Sequence, residues 1–230
     1  MALAVAVGAV SQAVSGIGFS LVCGPFLVAL LGAHEGIRLS VLLSLLLNVA
    51  LLARLRREVD VRGALLLLGP AALATPAWAV LARSLPDRPA RAAAGAVVLL
   101  GAGLLAFGVR WAAATGPAGA VGTGVVAALT NVIAGVAGPP VALWAENARW
   151  GAARQRATLQ AFFLGLNLVA LPSLGPPHVG AATLVACVLA MTTGVLLGVR
   201  LTVSEGVARR VTLGLAAAGG LAVLLSAALR

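Results

Sequence analysis

The chain has 230 residues, the length of one or two soluble domains, yet 61% of it is hydrophobic, 10% is charged and its mean hydropathy is +1.09. A soluble domain is about half apolar and roughly a quarter charged, so the composition excludes a soluble enzyme or a disordered chain and indicates a polytopic membrane protein. The net charge of +10 comes from sixteen Arg, with no Lys, in short clusters between apolar runs and without interleaved aromatics; such arginines orient a membrane chain and argue against nucleic-acid binding.

Charged residues divide the chain into eight uncharged windows. Met1–Ala33 comes first, 33 residues long and with no positively charged n-region, so it is not read as a cleaved leader. It is too long for one simple span of ~20 residues, and Gly16, Gly18, Gly24 and Pro25 interrupt it. Leu39–Ala53, Gly63–Ala82 and Ala92–Val109 follow, each near the length of one span. Trp111–Ala145, at 35 residues, repeats the first anomaly, broken at Gly135-Val136-Ala137-Gly138-Pro139-Pro140. Ala157–Pro177, Val179–Val199 and Val211–Leu229 complete the set. Gly and Pro weaken helices, and irregular backbone survives at membrane depth only where protein or a polar cavity satisfies it. The first window of each half is therefore expected to be broken or re-entrant.

The two halves correspond. Gly16 matches Gly135 at an offset of 119 residues, Arg38 and Asn48 match Arg156 and Asn167, and Gly63 and Arg83 match Gly180 and Arg200 at 117. The sequence thus predicts an all-α membrane protein of two homologous four-segment halves, residues 1–111 and 112–230. If the first window of each half returns to its own side, the halves are inverted and the two faces carry 11 and 5 Arg; if every window crosses, they carry 10 and 6. The positive-inside rule slightly favours inversion, the usual construction of secondary transporters with a midplane substrate site.

A broken helix offers free N–H groups and the positive end of a dipole to an anion, and glycine lets backbone approach it. Gly16, Gly18, Gly135 and Gly138 are the candidate backbone contacts, with Ser15 and Ser20 beside the first break and Thr130 and Asn131 beside the second. Asn48 and Asn167 lie at equivalent depth, where an amide either holds substrate or ties helices together, and Gln160 shares the helix of Asn167. Cys23 is a further candidate, although a membrane Cys is usually just a small apolar residue. Cys23 and Cys187 both sit in apolar runs, so neither a disulfide nor metal spacing is expected. His34, Glu35, Glu146 and His178 are boundary residues that could gate a mouth, and Trp78, Trp111, Trp144 and Trp150 are read as interfacial anchors.

Gly16-Ile17-Gly18, then Pro25, and the later Gly135–Pro140 segment resemble the TauE/SafE sulfite exporter family, also called the toluene sulfonate uptake permease family. The resemblance covers nearly the whole chain. Phe19 and Ser20 stand where the family's first motif has two further glycines, and Ala137 replaces a common glycine in the second. The resemblance implies transport of a small sulfur-containing anion, such as sulfite, sulfoacetate or another organosulfonate, across the bacterial cytoplasmic membrane. The expected partners are that anion, the lipid bilayer and a proton or other coupling ion.

No HExxH, GxSxG, phosphate loop or buried carboxylate pair is present, so neither catalysis nor a cofactor or metal is expected. The alternatives are a carrier of another small anion, such as a carboxylate, or a membrane subunit without transport of its own.

Overall fold

The computed structural model describes residues 1–108, 116–201 and 204–229. Trp111 and the boundary expected at residues 111 and 112 lie outside the described residues. Ten α-helices account for almost all of them: α1 (Ala2–Ser15), α2 (Phe19–Leu31), α3 (Ala33–Leu55), α4 (Val61–Ser84), α5 (Asp87–Ala106), α6 (Gly116–Ala134), α7 (Gly138–Asn147), α8 (Ala152–Leu174), α9 (Ala181–Gly198) and α10 (Glu205–Leu229). Among the described residues, seven helices are long and apolar enough to cross a membrane, and α1 and α2 are shorter apolar helices.

Both long windows fold back on themselves. α1 ends at Gly16, whose φ of 78° puts it in the left-handed region and whose N–H donates to the Gln12 carbonyl at 2.8 Å. An added Cβ on Gly8 would lie 2.8 Å from the Phe19 carbonyl oxygen and 3.3 Å from the Cys23 Cβ, so α1 and α2 pack against each other as the limbs of a hairpin. α6 ends the same way at Gly135, with φ 68° and its N–H 2.7 Å from the Asn131 carbonyl. α7 then opens with Pro139 and Pro140 in its first turn, where helical N–H groups have no partner to lose. The expectation of broken first segments is met: each window is two helices joined at a left-handed glycine.

The remaining helices cross in alternation. α3, α8 and α4–α6 define the middle of the bundle, while α1 lies along α9 and α5 along α10. These seams close on glycine, as is usual where membrane helices approach without a hydrophobic drive. Gly124 of α6 sits against the Leu67 carbonyl of α4, Gly194 and Gly198 of α9 against Ala6–Ala13 of α1, and Gly95 of α5 against Gly220 of α10. The outer surface is correspondingly apolar: Leu73 is 84% exposed, and Leu65, Val80, Leu100 and Leu189 are also largely bare. In water, such a surface would associate; in hydrocarbon it is the expected one.

Helix direction assigns the arginines to two faces. Arg54, Arg56, Arg57, Arg62, Arg149, Arg154, Arg156, Arg200, Arg209 and Arg210 gather at one, whereas Arg38, Arg83, Arg88 and Arg91 lie at the other. The hairpin α1–α2 returns to the arginine-poor face, where the Ala33 N–H meets Asp87 at 2.8 Å. The hairpin α6–α7 returns to the arginine-rich face, where Glu146 lies 3.6 Å from Arg209. Each tip passes the middle: Gly16 touches Arg156 near the start of α8, and Gly135 touches Ser40 near the start of α3. Two tryptophans, Trp144 and Trp78, depart from the expected role of interfacial anchors. Trp144 is 5% exposed in a core cluster with Phe162 and Leu166, and its ring meets Trp150 edge-on at 5.1 Å. Trp78 also packs against the core.

Candidate functional site

The two hairpins meet around a cavity at the middle of the bundle. Ser44 and Phe163, the central residues of the 23-residue helices α3 and α8, both line it. Gln12, Asn48, Asn131 and Asn167 supply amides, Ser20 and Ser44 hydroxyls, and Ile17, Gly18, Val136, Ala137, Gly138 and Pro139 the hairpin tips. The open space at its centre is about 30 Å³, room for about two waters. Among the described residues, no charged side chain lines it.

The lining is paired across the two halves. Gln12 and Asn131, Ile17 and Val136, Gly18 and Ala137, Phe19 and Gly138, Ser20 and Pro139, Ser44 and Phe163, and Asn48 and Asn167 are all separated by 119 residues. Gln12 and Asn131 hold the same local place: each lends its carbonyl to the tip glycine four residues on, and the resulting turn brings the amide side chain of each to the cavity.

Hydrogen bonds brace most of these amides. Asn131 Nδ2 donates to Asn167 Oδ1 at 3.0 Å, joining the second hairpin to α8. Gln12 Oε1 accepts the Phe19 N–H at 3.1 Å and so caps the start of α2, while Gln12 Nε2 donates to Gln160 Oε1 at 3.2 Å. Gln160 Nε2 in turn donates to the Gly16 carbonyl at 2.9 Å. Two donors are left over. Asn48 Nδ2 and Ser44 Oγ are buried, at 1% and 8% residue exposure, and have no hydrogen-bond partner among the described residues. A buried unsatisfied donor costs about 1–3 kcal/mol, and here both occur at the cavity wall. The N-termini of α2 and α7 also face it, since Phe19, Ser20 and Gly138 are lining residues. Two helix N-termini and neutral donors around one cavity favour an anion.

The residues singled out in the sequence divide accordingly. The structure brings Gly18, Ser20, Asn48, Asn131, Gly138 and Asn167 together at the cavity. Gln160 and Gly16 stand behind it, tied to each other. Ser15 donates to the Ser11 carbonyl at 2.7 Å and faces a different cavity. Gly135 packs on Ser40, Cys23 is buried in an apolar cluster with Phe19 and Leu39, and Thr130 donates to the Ala127 carbonyl beside an apolar outer groove. Gln12 and Phe163 were not singled out. The signal for each was a 119-residue spacing, from Asn131 for Gln12 and from Ser44 for Phe163.

The mouths differ. Toward the arginine-rich face, a cavity of about 260 Å³ is lined by Ser15, Gln155, Arg156, Glu146, Arg209 and Thr212, and it shares Ile17, Leu21 and Leu105 with the central cavity. The arginine-poor side is clasped. Arg38 donates to the Leu174 carbonyl at 3.0 Å and to Glu35 at 2.7 Å, and Glu35 also accepts the His178 N–H at 2.7 Å.

An all-helical membrane bundle with two opposed hairpins around a neutral, donor-lined cavity has the build of a secondary transporter. The model of the sulfite exporter TauE/SafE family matches residues 1–223, and the chain belongs to that family. It is thus a multi-pass protein of the cell membrane and a member of a transporter family. Neither curated proteins nor solved structures gave a match.

Proposed function

We propose that this protein carries a small sulfur oxyanion through the membrane by alternating access, and that the anion binds in the cavity between the hairpin tips. The observation that carries this reading is the pair of buried, unpartnered donors at that cavity, Asn48 Nδ2 and Ser44 Oγ. A bound oxyanion satisfies both, and the N-termini of α2 and α7 neutralise its charge. Gly18 and Gly138 let the backbone come close, and Asn131 and Asn167 hold the second hairpin in register. Family membership supports sulfite or an organosulfonate, and the small central volume favours sulfite, the smallest of these.

The halves 1–111 and 112–230 are inverted repeats in this reading. Asn48 and Asn167 exchange roles in the opposite-facing state: one pairs with a hairpin amide while the other meets substrate. The arginine-rich face is cytoplasmic, so the described conformation opens inward. An ion gradient drives transport.

The test is uptake into proteoliposomes with sulfite, thiosulfate, sulfoacetate, taurine, acetate and chloride. Sulfite or sulfoacetate is expected to exceed acetate and chloride. Preference for acetate or chloride over every sulfur compound refutes the substrate assignment.

A further inference from the structure

The cavity on the arginine-rich side has a property its role as a mouth does not require. Thr212 of α10 lines it, is 4% exposed, and its Oγ1 has no hydrogen-bond partner among the described residues. Arg209 lies one turn earlier on the same helix, and residues three apart share a face. Its guanidinium is tethered at the edge of this cavity, 3.6 Å from Glu146 and 2.5 Å from the Leu105 carbonyl. Thr212 also packs against the central lining. An added Cβ on Gly18, a residue of the central lining, would fall 2.8 Å from the Thr212 Cγ2.

We propose that Arg209 and Thr212 form a second, transient anion site that captures the substrate on the arginine-rich side and passes it to the central cavity. This deepens the transport reading and rests on it. The arriving oxyanion displaces the Glu146 carboxylate from Arg209, because both are acceptors for one guanidinium. Thr212 then donates its hydroxyl to the anion, one helical turn deeper. Ile17, Leu21 and Leu105 separate this point from Asn48 and Ser44 and act as the apolar gate between the two sites. Arg156 also borders this cavity, but its guanidinium donates to the Val14 carbonyl at 3.0 Å and its stem packs on Gly16, so it belongs to the hairpin tip.

The test measures initial sulfite uptake with the anion presented to the arginine-rich face of oriented vesicles. Thr212→Val keeps the side-chain shape and removes only the hydroxyl; KM is expected to rise about fivefold with little change in Vmax, as one lost hydrogen bond implies. Arg209→Gln is expected to raise KM about tenfold and flatten its dependence on salt. Glu146→Gln is expected to act in the opposite direction, lowering KM about two- to threefold. A merely structural Thr212 predicts no change in KM, and a merely structural Arg209–Glu146 pair predicts that both charge variants behave alike. A second measurement does not need transport. Gly206→Cys, placed in the open cavity in a background without Cys23 and Cys187, is alkylated by a membrane-impermeant iodoacetamide. Sulfoacetate should slow that reaction, and Arg209→Gln should abolish the protection. KM within twofold of wild type in Thr212→Val and Arg209→Gln, together with no protection by sulfoacetate, overturns the proposal. If wild type instead carries acetate, the sulfur assignment fails and the same variants, assayed with acetate, still decide this site.

Discussion

Asn48 and Asn167 occupy matching places, yet replacing each by Leu should move stability in opposite directions. Asn48 Nδ2 is buried and unpartnered, so Asn48→Leu removes a donor already paying a desolvation cost of about 1–3 kcal/mol. The folded protein should gain part of that, a rise of a few degrees in Tm at ~2–4 °C per kcal/mol for a chain of this size. Asn167 Oδ1 instead accepts from Asn131 Nδ2 at 3.0 Å, so Asn167→Leu strands a buried donor and should lower Tm by a comparable amount. Transport should fall in both. Loss of one hydrogen bond to an anion, about 1.5–3 kcal/mol, corresponds to a rise of roughly 10- to 150-fold in the sulfite KM of Asn48→Leu. Thermal unfolding in detergent, followed by size-exclusion chromatography, gives the first quantity and proteoliposome uptake the second. A drop in Tm with unchanged KM for Asn48→Leu would show that Asn48 is interhelical glue, and the reasoning from the orphaned donor would be refuted.

Further substitutions probe the hairpins and the faces. Gly16→Val should abolish transport and cost more than about 2 kcal/mol, because φ is 78° and the new Cβ would lie 2.5 Å from the Arg156 Cγ; wild-type uptake and Tm count against it. Gly138→Ala, whose Cβ would meet Ile17 only at 3.9 Å, should fold normally and raise KM severalfold by narrowing the cavity, and an unchanged KM removes Gly138 from the site. With Cys23 and Cys187 replaced, Arg83→Cys and Arg200→Cys should label from opposite sides of the membrane; labelling from one side rejects the inverted arrangement. The Arg154 guanidinium bonded to Asp60 holds its carboxyl below the usual range, helped by the Gly63 N–H. A depressed carboxylate stabilises the fold above its unfolded pKa and loses that contribution as pH falls through the folded value. Arg154 is about half exposed, so Asp60→Asn, which can keep the cap on Gly63, should cost under about 1 kcal/mol at neutral pH and nothing in strong acid. A constant Tm difference from pH 7 to pH 2 would contradict the ion pair.

What was readable in the sequence depended on scale. Charge spacing measured against bilayer thickness exposed both hairpins, because two windows of 33 and 35 residues cannot be single spans. The Asn48–Asn167 pair was visible because an amide in an apolar run is costly and therefore conspicuous. Gln12 was harder to see, since it lies four residues before a glycine whose left-handed turn alone brings it to the site. Thr130 neighbours Asn131 in sequence, but successive residues on a helix point about 100° apart, so one faces the cavity and the other an outer groove. The anchor reading of Trp144 rests on its place near the end of an uncharged window; α7 is short enough for its side chain to lie inside while Glu146 reaches the mouth.

The overlap of the two hairpins ties each mouth to the opposite leaflet. α1–α2 is rooted at the arginine-poor face, yet its tip lies against Arg156 and Thr212, at the arginine-rich mouth. α6–α7 is rooted at the arginine-rich face, and its tip rests on Ser40 and the Ile37 carbonyl, below the clasp of Arg38. Each hairpin therefore has its root near one face of the bundle and its tip packed against residues near the opposite face.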